Sequence, residues 1–484
     1  MINISITRHW ALTDRVLLLP ILQDQDDWST FKPMLGGQID LLKTHLSGKK
    51  GEIHWLWQDG QAIVLLGIGD GTNANQVIRA FRGLAHRQAT KLTSKIALFA
   101  THLTTQQLEW AINGLILSTY RIGSYKSEAT EAHPFLSADA TAIVYHEGER
   151  TAKTAIQKGK ATAETQMSIM QLVNAPSNKK VPEVLAEWAR QSAKANNYTA
   201  TIFEKEKIEE IGLHGLLSVN RGSEYPARFI ILEYKGEKAT QKVGLVGKGV
   251  TFDTGGVSIK GAANMHFMKS DMGGAGAVLG TVELAAKLKL PVHLIGIVPA
   301  TDNSVDALSI KPSDVIDTYS GKTIEIIDTD AEGRLILADG LTYMQKHYQP
   351  DVLIDLATLT GSAVRTLGYH AGALFSNDDS LAKALEAAGE TTGERLWQLP
   401  MWSVYGEELH SDVADIRNLG TRPMSGAIHA AKFLEFFTDN HPKWAHMDIA
   451  GVAFSEAEFS KQKSSTAYGV RLLVAYLEGL VDAD

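Results

Sequence analysis

The sequence predicts an α/β protein in two parts: a smaller N-terminal α/β domain and a larger C-terminal domain with a central mixed sheet flanked by helices. Three observations lead to this prediction. The 484 residues are too many for one ordinary core. Short apolar runs typical of buried strands alternate with longer helical runs along both halves. A composition of 44% hydrophobic and 21% charged residues is typical of a globular protein.

Strand-like and helix-like runs alternate in the N-terminal half, with predicted strands at 62–69 and 95–100 and predicted helices at 75–91 and 105–120. We therefore expect an N-terminal α/β domain over residues 1–150. The stretch 151–175 is rich in alanine, lysine and glutamine and predicts a connecting helix. The second domain then covers residues 176–484. The glycine-rich turn at 67–71 lacks the G-x-G-x-x-G spacing, and no motif in this half indicates catalysis.

The C-terminal half continues the alternation. Predicted strands occupy residues 199–203, 229–234, 243–246, 292–298, 323–327 and 352–356. Predicted helices occupy residues 182–195, 272–288, 335–347 and 468–477. Because helices separate most of these strands, we expect a largely parallel or mixed sheet covered by helices.

Composition excludes several classes of protein. The net charge of −8 argues against a general surface for nucleic acid. The absence of cysteine excludes disulfides, thiolate zinc sites and a cysteine nucleophile. The first residues do not follow the pattern of a signal peptide, and no uncharged apolar run approaches the roughly 18 residues needed to span a membrane. We expect a cytoplasmic protein without membrane contact.

The stretch DTDAEGR, residues 328–334, concentrates three carboxylates and a guanidinium. Asp330 and Glu332 are two residues apart, so they diverge on a helix but point the same way on an extended segment. We therefore expect them at the carboxyl end of a strand, just before a helix. An isolated D-x-E is more often a solvated turn. Two convergent carboxylates, however, repel each other unless a cation lies between them, which indicates a metal site.

A second cluster lies upstream, in VGKGVTFDTGGVSIK at 246–260 and MKSDMGG at 268–274. It contributes Asp253 and Asp271, which brings the total to four carboxylates with Asp330 and Glu332. Four carboxylates exceed the need of one divalent ion and indicate two ions that share ligands. These residues predict a two-metal hydrolase and leave the choice between a phosphoester and an amide substrate open.

Both clusters resemble signatures of the leucyl aminopeptidases, the M17 cytosol aminopeptidase family. The resemblance continues in DLATLTG at 355–361, LPMW at 399–402 and HMDIAGV at 446–452. It runs from about Asn174 to the C-terminus, with the motifs in the same order. It implies a dinuclear metallopeptidase that releases N-terminal residues, leucine-like ones preferred, from peptides with a free N-terminus.

The resemblance also implies the metal ligands. One ion would be held by Lys248, Asp253, Asp271 and Glu332, and a more exchangeable ion by Asp253, Asp330 and Glu332. Lys248 would have to bind as a neutral amine, so it must lose its proton. Zinc or manganese is expected, and this ligand set also suits magnesium or cobalt. Members of the family assemble as homohexamers.

Two further residues match catalytic positions of the family. Lys260 would polarise the scissile carbonyl, and Arg334 would anchor a bicarbonate ion that acts as the general base for the metal-bridged water. The same resemblance implies a pocket for the first side chain of the substrate. Its residues would be Met268, Thr358, Gly361, Ala450 and Ala453, with Asp328 beside them.

Two positions depart from the family. Asp328 stands where asparagine is common, and His266 stands where an acidic residue is usual. The added charge of Asp328 would alter metal affinity or hold a substrate amine more tightly. His266 suits a surface or supporting role better than metal ligation.

Two other functions are compatible with parts of this sequence. A two-metal phosphohydrolase is one, but the phosphate-binding pattern G-x-x-x-x-G-K-[ST] is absent around Lys248. Binding of DNA through the N-terminal domain, as some family members do, is the other, and the acidic net charge disfavours it.

Overall fold

The computed structural model describes residues 1–9, 11, 14–122, 125–128 and 131–482. The chain forms two compact units. The first comprises Met1–Met167 together with Thr391–Gly393, and the second comprises Ser168–Glu390 and Glu394–Asp484.

The first unit is built on a six-stranded sheet. Its strands are β1 Asn3–Thr7, β2 Val16–Ile21, β3 Ile53–Gln58, β4 Gln61–Gly67, β5 Lys95–Phe99 and β6 Thr141–Tyr145. Its helices are α1 Lys32–Leu35, α2 Ile39–His45, α3 Ala74–Arg87, α4 Ala89–Leu92, α5 Thr105–Leu117 and the start of α6 Glu149–Asn174. The strand order is β1-β6-β5-β2-β4-β3, and only β3 runs antiparallel to its neighbour. This confirms the smaller N-terminal α/β fold.

The second unit contains the remaining elements. Its strands are β7 Thr199–Phe203, β8 Arg228–Lys235, β9 Lys242–Gly247, β10 Gly249–Asp253, β11 His293–Asn303, β12 Val315–Asp317, β13 Thr323–Glu325, β14 Val352–Ala357, β15 Gly372–Ser376, β16 Leu396–Gln398, β17 Ile416–Arg417, β18 Trp444–Asp448, β19 Phe454–Glu456 and β20 Ser464–Ser465. Its helices are α7 Pro182–Asn196, α8 Lys205–Ile211, α9 His214–Asn220, α10 Gly273–Leu288, α11 Gly333–Tyr348, α12 Gly361–Leu367, α13 Asp379–Thr392, α14 Val404–Glu407, α15 Gly426–Phe436 and α16 Val470–Asp482.

A nine-stranded mixed sheet forms the centre of this unit, in the order β16-β15-β18-β14-β9-β11-β8-β7, with β10 also paired to β11. The middle strands β11, β9, β14 and β18 are parallel, and antiparallel pairs lie on either side of them. Every residue of β14 is buried, which matches a sequence that is apolar except for Asp355. Helices α10 and α11 both pack against β9. The predicted central mixed sheet flanked by helices is therefore confirmed.

The predicted strand at 323–327 is wrong in its extent and its location. It ends at Glu325 and belongs to a separate three-stranded sheet, β12-β13-β17, rather than to the central sheet. Only Ile324 of its three residues is buried. A short β-branched run predicts extended backbone but does not say which sheet it joins, because strand propensity reflects whichever partner surface the tertiary structure supplies.

Among the residues described, no helix is long and apolar enough to cross a membrane.

A buried polar trio joins two neighbouring strands of the central sheet. Asp355 on β14 accepts a hydrogen bond from Trp444 Nε1 at 2.8 Å, and its other oxygen lies 2.6 Å from His446 Nδ1. The two partners are on β18, and all three side chains are fully buried. Removal of the carboxylate would leave two buried polar groups without their partner.

We expect Asp355→Ala to lower the free energy of unfolding by about 3 kcal/mol, because it breaks a buried polar pair from one side. Asp355→Asn is the matched control and should cost less, since its amide oxygen still accepts from the indole. Urea unfolding of the two variants checks this. Because asparagine keeps the volume of aspartate, an equal loss in both would show that the carboxylate charge, and not the hydrogen bond to the indole, matters here.

Candidate functional site

A cleft of about 970 Å³ lies at the carboxyl ends of the central strands. Its residues come from the turn after β9, the end of β10, the segment before α11 and the turn between β14 and α12. This is the edge at which open α/β sheets place their ligands, because strand ends and helix starts converge there.

Three carboxylates meet in this cleft. Ligand oxygens of Asp253, Asp330 and Glu332 lie within 4.8 Å of one another. The extended conformation expected for Asp330 and Glu332 is wrong: Asp330 lies in a turn, and Glu332 is helical, with φ −78° and ψ −35°, at the N-cap of α11. The two side chains converge because the chain turns between them, not because they share a face of a strand.

Lys248 lies between the carboxylates of Asp271 and Glu332. Its Nζ lies 2.8 Å from Asp271 Oδ2 and 2.8 Å from Glu332 Oε1, and it donates to the carbonyl of Thr358 at 3.1 Å. Burial opposes a charge on this amine, but the carboxylates of Asp271 and Glu332 outweigh burial and raise the pKa of Lys248. The residue predicted as a metal ligand therefore carries a proton when no metal competes for it.

Lys260 lies on the other side of the cluster. Its Nζ is 2.8 Å from Asp253 Oδ2 and also forms an ion pair with Asp330. Burial lowers the pKa of Lys260, but the neighbouring carboxylates, Asp253 foremost, raise it above the ordinary lysine value. The lysine is thus held as a cation beside the convergent carboxylates.

Burial and the closeness of like charges shift the pKa values of the carboxylates. Burial and the charge of Asp253 raise the pKa of both Asp330 and Glu332, and burial raises the pKa of Asp271 although Lys248 opposes the shift. Glu332 Oε2 is buried and has no hydrogen-bond partner among the described residues. Convergent hard oxygens that include an unsatisfied buried one fit divalent metal ions, which would relieve the repulsion.

Arg334 lies on the first turn of α11, is almost fully buried and lines the same cleft. Its Nη1 donates to the carbonyl of Asn418 at 2.7 Å, and its Nε is buried without a hydrogen-bond partner in the described part of the chain. Burial lowers its pKa to about 10, so the guanidinium remains charged at neutral pH. An unsatisfied cationic donor at the wall of a cleft suits a small anion.

The other predicted pocket residues are mostly brought together. The cleft is lined by Met268, Asp328, Thr358, Gly361 and Ala450. Ala453 is not on that surface.

Three of the predicted positions have distinct surroundings. Ala453 is buried, and its Cβ would lie 2.9 Å from a Cβ added at Gly273. Asp328 accepts a hydrogen bond from the Asp330 amide at 2.9 Å, so it shapes the turn that presents Asp330. His266 is exposed beside the ring of Phe267.

Sequence reasoning missed two supporting side chains. Asn303, at the end of β11, donates to Asp253 Oδ1 at 2.9 Å. Asn418 accepts from the amide of Ile327 at 2.8 Å and donates to the carbonyl of Asp328 at 2.6 Å. Both residues lie far along the chain from the carboxylates they support, and no local pattern marks either one.

Gly333 was also missed. A Cβ at this position would lie 2.6 Å from Lys248 Cε and 2.7 Å from Lys248 Nζ. Residue 333, at the start of α11, must therefore lack a side chain for Lys248 to reach Asp271 and Glu332. The sequence marks this glycine only by its place directly after Glu332.

Residues 168–474 match the cytosol aminopeptidase family, catalytic domain. A probable cytosol aminopeptidase of Chlorobium limicola is 44% identical over 431 residues, which cover 86% of this chain and 85% of that protein. A probable cytosol aminopeptidase of Syntrophotalea carbinolica is 39% identical over 485 residues, which cover 96% of each.

A solved structure is similar throughout. The bottromycin maturation enzyme BotP, in complex with Mn, matches with a TM-score of 0.84 and 30% identity, over 97% of this chain and 100% of that one. The chain belongs to the cytosol aminopeptidase family, which confirms the resemblance seen in its motifs. Membership implies metal-dependent hydrolysis of peptides at the N-terminus.

We expect Gly333→Ala to lower metal affinity by roughly 10- to 100-fold, because the new methyl group displaces the Lys248 amine from the carboxylates it orients. Isothermal titration of the metal-free protein with Mn²⁺ measures this. Gly479→Ala is the matched control, a helical glycine with open space around its Cβ position. Equal affinities in the two variants would contradict the steric role of Gly333.

Proposed function

We propose that this protein is a leucine-preferring aminopeptidase that works with two divalent metal ions. The observation that carries the proposal is the convergence of Asp253, Asp330 and Glu332 beside Lys248 and Lys260 in one cleft. Lys248, Asp253, Asp271 and Glu332 would hold one ion, and Asp253, Asp330 and Glu332 the other. When bound, such a pair supplies a water acidic enough to act as the nucleophile at neutral pH.

Lys260 would act on the substrate carbonyl. Its ammonium is held in place by two carboxylates and stays protonated, so it can stabilise the negative charge that develops on the carbonyl oxygen. A preorganised cation in a half-buried position serves this purpose better than one in bulk water, because it does not have to reorganise.

Arg334 would hold bicarbonate as a general base. Its buried, unsatisfied Nε can donate to an anion in the cleft, while its bond to the Asn418 carbonyl fixes the plane of the guanidinium. Arg334 would hold the bicarbonate beside the carboxylates, where the ion would supply a general base.

Substrate selection would follow from the walls of the cleft. Met268, Thr358, Gly361 and Ala450 are small or apolar and suit a leucine-like first side chain, whereas Ala453 is buried next to Gly273 and does not line this surface. The free amine of the peptide would lie toward the acidic residues, and Asp328 adds a negative charge next to Asp330. Asparagine in place of Asp328 would keep the hydrogen bond to the Asp330 amide and lose only the charge.

The proposal also covers the metal ions, the assembly and the location of the protein. Zinc or manganese are the ions we propose, with magnesium or cobalt as alternatives, and the similar BotP was solved with Mn. We also propose a homohexamer in the cytoplasm, in keeping with relatives that are named cytosol aminopeptidases.

We expect removal of metal to abolish hydrolysis of leucine p-nitroanilide, and Mn²⁺ or Zn²⁺ to restore it, because the nucleophile depends on the ions. A colorimetric assay after dialysis against a chelator measures this, with circular dichroism to show that the protein stays folded. p-Nitrophenyl phosphate is the matched control substrate and should not be cleaved. Full peptidase activity in a verified metal-free sample would end the proposal.

We expect Lys260→Ala to lower kcat by roughly 10²- to 10³-fold while the metal content is retained, because an oxyanion contact is lost from the transition state. Steady-state kinetics with mass spectrometry for metal content measures this. The exposed Lys322→Ala serves as the control for a lost lysine charge. An unchanged kcat in Lys260→Ala would remove the residue from the reaction.

A further inference from the structure

The cleft is lined by charged residues of both signs. Carboxylates surround Lys248 and Lys260. The same cleft is also lined by three arginines that the proposed chemistry does not use: Arg365, Arg417 and Arg422.

Arg365 reaches back over the start of its own helix. It lies on α12, and its Nη1 is 3.4 Å from the position that a Cβ on Gly361 would occupy. Gly361 lines the cleft as well. The guanidinium therefore stands beside the wall proposed to hold the substrate, although the arginine itself is exposed.

Arg417 and Arg422 lie on the opposite segment, near the anchor of Arg334. Arg417 ends β17 and directly precedes Asn418, whose carbonyl accepts from Arg334. Arg417 is half-buried, and its Nε is buried without a hydrogen-bond partner among the described residues. Arg422 follows five residues later and is exposed.

These guanidiniums differ from other arginines of the second unit. Arg190 and Arg228 both pair with Glu183, and Arg471 pairs with Glu394. Within the part of the chain that the structure describes, Arg365, Arg417 and Arg422 form no ion pair with a carboxylate. Three cations without an internal counter-charge around one opening form a site for an anionic group, and arginine binds carboxylates in a bidentate manner.

We propose that Arg365, Arg417 and Arg422 form a subsite for a carboxylate carried by the part of the peptide that follows the scissile bond. The inference rests on the proposed aminopeptidase function. It assigns short peptides with a free terminal carboxylate, or peptides with Asp or Glu as the second residue, as preferred substrates. The acidic residues and the three arginines line the same cleft, and its volume of about 970 Å³ accommodates a short peptide that contacts both.

The subsite should strengthen substrate binding and leave the rate of the chemical step unchanged. Exposed ion pairs are weak, so we expect each arginine to change kcat/KM by roughly 3- to 10-fold. Because the carboxylate lies away from the reacting carbonyl, its pairing is the same in the bound and the transition state. The change should therefore fall on KM rather than on kcat.

Four substrates test this with the metal-loaded enzyme: Leu-Gly, Leu-Gly-amide, Leu-Glu-amide and Leu-Gln-amide. The first pair isolates the terminal carboxylate, and the second pair isolates an acidic side chain at the second position. We expect the acid to be preferred over its neutral partner in at least one pair. The ratio of kcat/KM for the acid to kcat/KM for its neutral partner should be smaller in Arg365→Gln, Arg417→Gln and Arg422→Gln than in the unsubstituted enzyme. The substitutions should reduce this ratio less when the assay contains added salt, because salt already screens the exposed charges.

Arg221→Gln is the control, because it removes an exposed arginine that does not line the cleft. Arg365 and Arg422 are exposed, so their variants keep the test valid if Arg417→Gln does not fold. A ratio near one in both pairs, unchanged in all the variants, overturns the subsite and leaves the aminopeptidase standing. Failure to cleave any of the four substrates overturns the proposed function and the subsite with it.

Discussion

The structure depends on one constraint, the burial of several like charges in a small volume. Asp253, Asp271 and Glu332 are almost fully buried, and each is close to another carboxylate. Isolated buried carboxylates would take up protons or unfold the site. Lys248 pairs with Asp271 and Glu332, and Lys260 pairs with Asp253, so the two ammonium groups together offset this repulsion.

That constraint sets the spacing of the secondary structure. The ammonium of Lys248 reaches its two carboxylates only because α11 starts with a bare backbone at Gly333. Helix α10 also needs a bare backbone, at Gly274, where an added Cβ would lie 2.0 Å from the carbonyl oxygen of Leu356 on β14 and 3.0 Å from the Lys248 amide nitrogen. Helices α10 and α11 are thus held tightly against the strand ends, and small residues allow this approach.

A second layer of hydrogen bonds orients the carboxylates. Asn303 donates to Asp253, and the Thr358 hydroxyl donates to Asp271 at 2.9 Å. The Asn418 side chain accepts from the Ile327 amide and donates to the Asp328 carbonyl, and its backbone carbonyl accepts from Arg334. This one buried residue therefore joins the acidic turn to the guanidinium. Such supporting contacts fix charged groups before a ligand arrives, which is what preorganised sites require.

The fold class, the family and the residues able to bind metal or act in catalysis could be predicted from the sequence. Hydrophobic periodicity is local, so the strand at 199–203 and the helices around 182–195 and 272–288 could be predicted from the chain alone. The motifs named the carboxylates and lysines that the cleft contains. Tertiary structure decided the rest. It placed the strand at 323–327 outside the central sheet and put Glu332 on a helix. It also brought Gly333, Asn418 and the three arginines to the cleft. These outcomes depend on contacts between residues that are distant in the chain, and no local propensity encodes such contacts.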